Sequence, residues 1–343
     1  MPAKKKRKTK KVSKEYLWKR QKTEKKERQK KNGFRTTVFF AFLSIFLIAA
    51  IFVFRIFNSG AWKGEQRFNV VVGREGGFVT LISVSSNEPD VLMFEMDPDV
   101  MVSTVHGYGQ YKVGSLLRLG EIEEMGENLL IKSAQQTFGL RIHGHVSADG
   151  KVGGDLRNYL QKLVRPMAFS LVGNPIGVMD VVRYAQRISG LREDQIELIP
   201  IHESSLAYTK TLPDGGEVYE LDLLRLDGFL EGRAINMVYS KEGYGVAVLN
   251  TTSHSGLASS LSRILLNSGV SVVSVSENQL GYESSKIVIK NKDFMDSETF
   301  LILSNLFDDF EVEVGETEDF RADIVVLLGK DYKEYLSDKP EEN

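Results

Sequence analysis

The sequence contains no cysteine and only five histidines in 343 residues. The absence of cysteine excludes disulfide scaffolds, thiolate zinc sites, thiol nucleophiles and iron–sulfur ligation. His143 and His145 alternate across one residue, as side chains on one face of a strand do. Two imidazoles without a third ligand are weak evidence for a metal, so the sequence predicts no metal site.

The common catalytic motifs are also absent. The segment 107–114 (GYGQYKVG) is glycine-rich but lacks the Gly-Lys-Ser/Thr ending of a phosphate-binding P-loop. Ser204, Ser205 and Ser253 lack the context of a nucleophile elbow. We therefore predict no catalytic residue from these motifs.

A near-neutral total charge of −2 conceals a strong asymmetry. Residues 1–35 hold 17 Lys or Arg and three acidic residues, a net charge of +14, whereas the remaining residues sum to −16. Such a split is typical of a chain with one end targeted electrostatically. We interpret residues 1–35 as a basic cytoplasmic arm with anionic lipid as its partner.

A long apolar run follows the arm. Residues 36–54 contain no charged side chain, and this length spans about 30 Å of hydrocarbon as a helix. The sequence predicts a single-pass transmembrane helix at 36–57, a signal anchor, and then a linker at 58–66. The excess of basic residues before the run places the N-terminus in the cytoplasm and the acidic remainder outside the cell membrane.

The rest of the chain alternates strand and helix patterns, which favours an α/β to α+β layered fold. Strands are predicted at 68–72, 79–84, 90–95 and 141–148, and helices at 115–119, 126–138, 155–169 and 178–189. Pro166 is expected to bend or end the third helix. Whether residues 171–240 complete this region or form an irregular connection is left open, with a turn expected at 213–216.

The C-terminal part has a clearer pattern. Strands at 246–250, 270–276, 286–290 and 322–328 and helices at 257–268 and 297–307 give the order β-α-β-β-α-β of a small separate domain. Gly269 is expected to end the first of these helices. The loop 251–256 precedes that helix and either holds an anion or is the place where Ser255 caps the helix, the latter being favoured.

Two segments of this domain, VAVLNTTSHSGLASSLSRILLNSGVSVVSV (246–275) and DIVVLLGKDY (323–332), resemble the LytR C-terminal domain of cell-envelope proteins. The predicted limits are 244–332, followed by a polar tail at 333–343. The resemblance implies a bacterial, extracytoplasmic protein, and the family carries this domain behind a LytR-CpsA-Psr domain, which transfers polyprenyl-linked glycopolymers to peptidoglycan.

Residues 67–235 are similar to a degenerate LytR-CpsA-Psr domain. RFNVVVG (67–73), MDPDVMV (96–102) and GYGQYKVGSLLRLG (107–120) match family segments. Lys112 stands at the family's lysine, whereas Gly114 replaces its asparagine. Glu75 is a candidate for the family's first acid, although the arginine paired with that acid is missing.

A later element, GGDLR (153–157), is similar to the family's Gly-Asp-x-x-Arg. The resemblance therefore makes Lys112, Glu75, Asp155 and Arg157 the candidate ligand-binding residues. For Asp155 and Arg157 the alternative is an acid at a helix start and a solvated arginine.

The missing arginines and acids favour a non-catalytic protein, because loss of one transition-state donor typically reduces a rate by about 10² to 10³. The first hypothesis is thus a membrane-anchored envelope protein without a cofactor that binds peptidoglycan, polyprenyl-linked glycan or partner proteins. The alternative is an active phosphotransferase in which Glu75, Asp97 or Asp99 holds Mg²⁺. Nucleic acid is not an expected partner, because the exterior from residue 58 carries −17.

Overall fold

The computed structural model describes residues 18, 43–47, 62, 67–85, 90–150, 152–169, 176–233, 237–278, 280–307 and 310–332. The chain divides into two compact units, Met1–Asn58 and Ser59–Asn343. In the first unit, residues 18 and 43–47 are helical, and the rest of the predicted arm and transmembrane helix lies outside the described residues. Among the residues that are described, no helix is long and apolar enough to span a membrane.

The second unit alternates strands and helices. Its strands are β1 Phe68–Gly73, β2 Val79–Val84, β3 Val91–Met96, β4 Val100–Ser103, β5 Gln110–Lys112, β6 His145–Ser147, β7 Ile196–Pro200, β8 Ala207–Thr211, β9 Glu217–Leu221, β10 Gly245–Asn250, β11 Ser271–Glu277, β12 Lys286–Ile289, β13 Glu311–Val314 and β14 Ile324–Leu328. Its helices are α1 Leu116–Ile122, α2 Asn128–Phe138, α3 Leu156–Lys162, α4 Val164–Phe169, α5 Val178–Ser189, α6 Leu223–Leu230, α7 Met237–Glu242, α8 Leu257–Ser268 and α9 Glu298–Ser304. Separate hydrophobic cores define a first lobe (62–230) and a C-terminal lobe (237–332).

The first lobe is organised around a sheet with the strand order β6-β1-β2-β3-β7, which we call the first sheet. Strands β1, β2 and β3 pair antiparallel, whereas β6 and β7 add in parallel at the two edges. Both faces of this sheet are buried, with Val71 and Phe94 in one core and Val70 and Met93 in the other. Burial on both faces explains why these strands are continuous apolar runs.

Helices cover the two faces. Helices α1, α2 and α6 supply the core on the Val71 face, and α3, α4 and α5 supply the core on the Val70 face. The predicted helix 155–169 is wrong as one element, because it divides into α3 and α4 at Leu163. Pro166 accounts for the break, since its ring clashes with the carbonyl four residues earlier, that of Lys162, and offers it no N–H.

Residues 176–230 complete the first lobe. Strand β7 joins the first sheet, while β8 and β9 join β4 and β5 in the order β5-β4-β9-β8, the second sheet. The predicted turn is confirmed: Leu212 N–H donates to Gly216 O at 2.7 Å between β8 and β9. Gly215 there has φ 84°, a conformation that favours glycine.

The C-terminal lobe contains the third sheet, β11-β10-β14-β12-β13, with α8 and α9 packed against its core. The predicted β-α-β-β-α-β order is recovered, and Gly269 ends α8 in the left-handed conformation with φ 95°. Strand β13 was missed, because its sequence Glu-Val-Glu-Val is short and exposed at the sheet edge. The predicted boundary of 244–332 remains a prediction, since both lobes belong to one compact unit.

The carboxylate of Asp331, which follows β14, holds the backbone and side chain of Ser285 at the start of β12. Its oxygens accept hydrogen bonds from Ser285 N at 2.8 Å, Ser285 Oγ at 2.7 Å and Tyr332 N at 2.7 Å. We expect Asp331→Ala to lower the free energy of unfolding by about 2 kcal/mol, because hydrogen bonds to charged groups are lost together. Urea denaturation measures this, and the exposed Asp319→Ala is the matched control. An equal loss of unfolding free energy in both variants would contradict this role of the Asp331 carboxylate.

Candidate functional site

Three turns meet at one end of the first sheet, and they contain Glu75, Asp97 and Asp99, with Lys112 directly before the third turn. These are the turns at 75–77, 97–99 and 113–115. Gly114 N–H donates to Pro98 O at 3.1 Å, and a Cβ at Gly114 would lie 2.7 Å from Pro98 Cβ. The asparagine of the family therefore does not fit at Gly114 in this backbone. The structure places Glu75 and Gly114 in this cluster and Lys112 directly before it, and their binding role remains a prediction.

Two acids of this turn cluster contact basic side chains, whereas the exposed Glu75 forms no ion pair within the described part of the chain. Lys112 Nζ lies 2.7 Å from Asp99 Oδ1, and both side chains are about half exposed. Asp97 Oδ2 lies 2.9 Å from His202 Nδ1. Asp97 and Asp99, the alternative Mg²⁺ ligands, lie in the turn around Pro98 and contact different partners. Among the described residues, no three His, Asp or Glu side chains converge as metal ligands.

A buried arginine lies next to this cluster. Arg74 is 8% exposed, and its Nη2 lies 2.6 Å from Glu95 Oε1. The sequence did not reveal this pair, since Glu95 comes from β3, two strands away. Tyr159 and Thr80 are buried beside it, and burial raises the pKa of the Tyr159 hydroxyl.

Asp155 and Arg157 have structural roles in this arrangement. Asp155 caps α3 by accepting a hydrogen bond from Asn158 N at 2.8 Å, which lowers the pKa of its carboxyl group. Arg157 Nη2 donates to Ser189 O at 2.6 Å, at the end of α5. The Asp155 contact matches the structural alternative for that residue, whereas Arg157 is held by the protein rather than solvated, and the binding role of both remains a prediction.

Sequence reasoning missed a cleft of about 380 Å³ beside α3 and α4. It is lined by Ser147, Ala148, Asp149, Tyr159, Lys162, Leu163, Arg165, Pro166 and Phe169. Neither Lys162 nor Arg165 forms an ion pair within the part of the chain that is described. The Phe169 ring is 76% exposed, with the Arg165 guanidinium 5.7 Å from its centre. The signal available in the sequence was Pro166, which breaks the helix and opens this surface.

The two histidines are buried and have different neighbours. His145 Nδ1 lies 3.1 Å from Glu127 Oε1, whereas His143 Nδ1 accepts a hydrogen bond from Asn69 N at 3.1 Å. Burial, with the nearby Arg141 as a smaller cause, holds the pKa of His143 well below its ordinary value. His143 is therefore neutral in the folded protein near pH 7.

This lowered pKa predicts a dependence of stability on pH. Below about pH 6.5 the unfolded chain binds a proton at residue 143 that the folded chain does not, so stability falls as the pH falls. We expect His143→Asn, which keeps an acceptor for Asn69 N, to remove a stability loss of about 1 kcal/mol between pH 6.5 and 5.5. Urea denaturation at both pH values measures it. The exposed His254→Asn is the control, and an unchanged slope in His143→Asn would refute the prediction.

The loop before α8 contradicts the expected cap by Ser255. Gly256, with φ 88°, is the residue that precedes the helix, and no side chain caps it. Ser255 is therefore not the cap. Gly256 N–H donates to Glu277 Oε1 at 3.2 Å, so a carboxylate of the protein itself occupies this helix start. The remainder of the loop is held by Asn250, whose Nδ2 donates to His254 O at 2.7 Å.

Comparison with known families identifies the C-terminal lobe. Residues 243–332 match the family described as LytR cell envelope-related transcriptional attenuator. The chain thus carries a LytR C-terminal domain, as the segments 246–275 and 323–332 predict. Comparison with curated proteins finds no match.

Solved structures resemble about half of the chain. TagT from Bacillus subtilis is 12% identical with a TM-score of 0.35, covering 49% of this chain and 89% of TagT. TagV from Bacillus subtilis is 10% identical with a TM-score of 0.36, covering 50% and 98%. One TagT structure is described as a LytR-CPS2A-psr family protein with bound octaprenyl pyrophosphate lipid. These are proteins of the family that residues 67–235 were expected to resemble, but likenesses this low carry no argument about the activity of this chain.

Proposed function

We propose that the chain is a non-catalytic binding protein of the bacterial cell envelope, and that the cleft of the first lobe binds the phosphate end of a lipid-linked glycan. The LytR C-terminal domain supports the envelope assignment. The cleft carries the binding proposal, because it combines two cations without ion pairs, Lys162 and Arg165, with an exposed aromatic ring, Phe169.

This combination suits an amphiphilic anion. Lys162 and Arg165 supply charge-assisted donors for phosphate oxygens. Leu163, Pro166 and Phe169 offer an apolar surface for the first isoprene units of the lipid. A volume of about 380 Å³ is within the range of small-molecule sites and accommodates the head of a lipid rather than its full length.

The turn cluster supports a role without catalysis. A transferase of this type needs acids free to hold Mg²⁺ and basic groups free to hold a pyrophosphate. Here Lys112 is neutralised by Asp99, Arg74 by Glu95, and Asp97 contacts His202. In the alternative, an active phosphotransferase, these pairs would have to separate before a metal and a substrate could bind.

Location and the other partners follow from the charge pattern. We propose a single-pass membrane protein with a cytoplasmic N-terminus, whose arm contacts anionic lipid and whose lobes lie outside the membrane. Peptidoglycan and envelope proteins are further partners within this proposal. They share the compartment with the lipid-linked glycan.

Calorimetry on the full-length protein in detergent tests the cleft with farnesyl pyrophosphate, a short relative of the polyprenyl pyrophosphate lipid described for TagT. We expect binding without Mg²⁺, and we expect Lys162→Ala and Arg165→Ala each to weaken it about tenfold through loss of one charge-assisted contact. Phe169→Ser should also weaken it. Inorganic pyrophosphate and farnesol, each half of the probe, should bind more weakly than the whole.

The matched controls are Lys210→Ala, an exposed lysine of β8 paired with Glu220, and Lys112→Ala in the turn cluster. Both should leave the affinity unchanged. Binding that requires Mg²⁺ and disappears in Lys112→Ala or Glu75→Ala would replace this proposal with the phosphotransferase. Absence of binding under both conditions would end the lipid-phosphate proposal.

A further inference from the structure

The two lobes are joined by side chains of α8 that reach the first lobe. Arg263 Nε lies 2.7 and 2.9 Å from the two carboxylate oxygens of Asp227 on α6. Its other nitrogens donate to backbone carbonyls at the end of α2, Nη1 to Gln136 O at 2.7 Å and Nη2 to Thr137 O at 2.9 Å. One guanidinium therefore binds two helices of the other lobe.

A second side chain extends this contact. Asn267, one turn further along α8, donates from Nδ2 to Asp227 Oδ1 at 3.0 Å and to Phe138 O at 3.4 Å. The last carbonyls of a helix lack partners within the helix, and a positive charge is favourable at that end. Arg263 and Asn267 thus act as a C-terminal cap of α2 that is supplied by a different lobe.

Gly139, immediately after α2, provides independent evidence that the fit is close. Its φ of 59° is left-handed, and a Cβ there would lie 2.6 Å from Asn267 Nδ2 and 3.1 Å from Arg263 Cγ. A larger residue at this position would be strained and would also displace the α8 side chains. The first lobe is therefore shaped at Gly139 to receive α8.

From Gly139 the chain leads directly to the cleft. Ile142 N–H donates to Gln135 Oε1 on α2 at 3.1 Å, and His143 N–H donates to Asn69 O at 2.8 Å. Strand β6 follows, and Ser147 and Asp149 form one wall of the cleft. This wall is therefore linked to α2 through Ile142 and Gln135, and it is also held to β1 through Asn69.

We infer that the LytR C-terminal domain acts on the cleft of the first lobe, and that Arg263 is the positioning residue that transmits this effect through the end of α2. The C-terminal lobe is then a structural partner of the binding site and not an independent module. The part of this inference that concerns a ligand rests on the proposed function, whereas the coupling itself does not.

Hydrogen exchange of the full-length protein tests the coupling without a ligand. In Arg263→Ala we expect amide exchange within residues 136–148 to rise about tenfold or more, while β2 and β3 keep their wild-type rates, because loss of the cap permits local opening. Arg263→Lys keeps the charge but lacks the planar fork, so its increase should be intermediate. Gly139→Ala should reproduce the effect from the opposite side of the contact.

The matched control is Arg225→Ala, which removes an exposed arginine of α6 whose Nη1 donates to Ser205 O. This variant should leave the amide exchange rates of residues 136–148 unchanged. Unchanged amide exchange of residues 136–148 in Arg263→Ala, or an equal increase in β2 and β3, would overturn the inference. If Arg263→Ala does not fold, the milder Arg263→Lys variant provides the same test.

Titration with farnesyl pyrophosphate provides the second measurement. We expect Arg263→Ala to weaken binding about threefold or more and Arg225→Ala to leave it unchanged. If the wild-type protein does not bind the probe, the proposed function fails while the exchange result still decides the coupling. If the probe binds equally to wild type and Arg263→Ala, the inference fails and the proposed function stands.

Discussion

The first sheet is buried on both faces, and this constraint determines where chemistry is possible in the first lobe. Strands β1 to β3 present apolar side chains to a core on each side, so charged groups are confined to the ends of the strands and to the covering helices. Arg74 and Glu95 lie at such an end. Arg74 is buried and paired, as a buried charge generally must be, whereas the turn cluster at the same end keeps its charged side chains partly exposed to solvent.

The turn cluster and the cleft, the two candidate regions of the first lobe, differ in whether their basic side chains form ion pairs. In the turn cluster each basic group has an acidic partner, and a phosphate that entered would have to displace that partner or lie beside its negative charge. At the cleft, Lys162 and Arg165 are exposed and without ion pairs among the described residues, and these two cations outnumber the one acid of the lining, Asp149. The family resemblance pointed to the turn cluster, but the electrostatics favour the cleft as the place where a phosphate binds.

Local patterns in the sequence predicted much of the fold and little of the site. Strand β2, helix α5 and the end of α8 at Gly269 agree with the structure, because apolar periodicity and a left-handed glycine are local signals. Strand β13 lacked such a signal. Lys112 was identified from the resemblance, but its pairing with Asp99 depends on the register of β4 and β5. The cleft required the break at Leu163, which a periodic pattern does not locate.

The contact between the lobes also could not be predicted from the sequence, because it joins residues that are far apart along the chain. Arg263 is more than 120 residues from the carbonyls that it binds, and on α8 it has the appearance of an ordinary polar-face arginine. Removing the C-terminal lobe would leave the Asp227 carboxylate and three carbonyls at the end of α2 without these partners. A domain that a family match delimits at 243–332 thus completes a helix of the lobe before it. Its role in this chain is therefore to be sought in the two lobes together, because the first lobe is shaped at Gly139 to accept it.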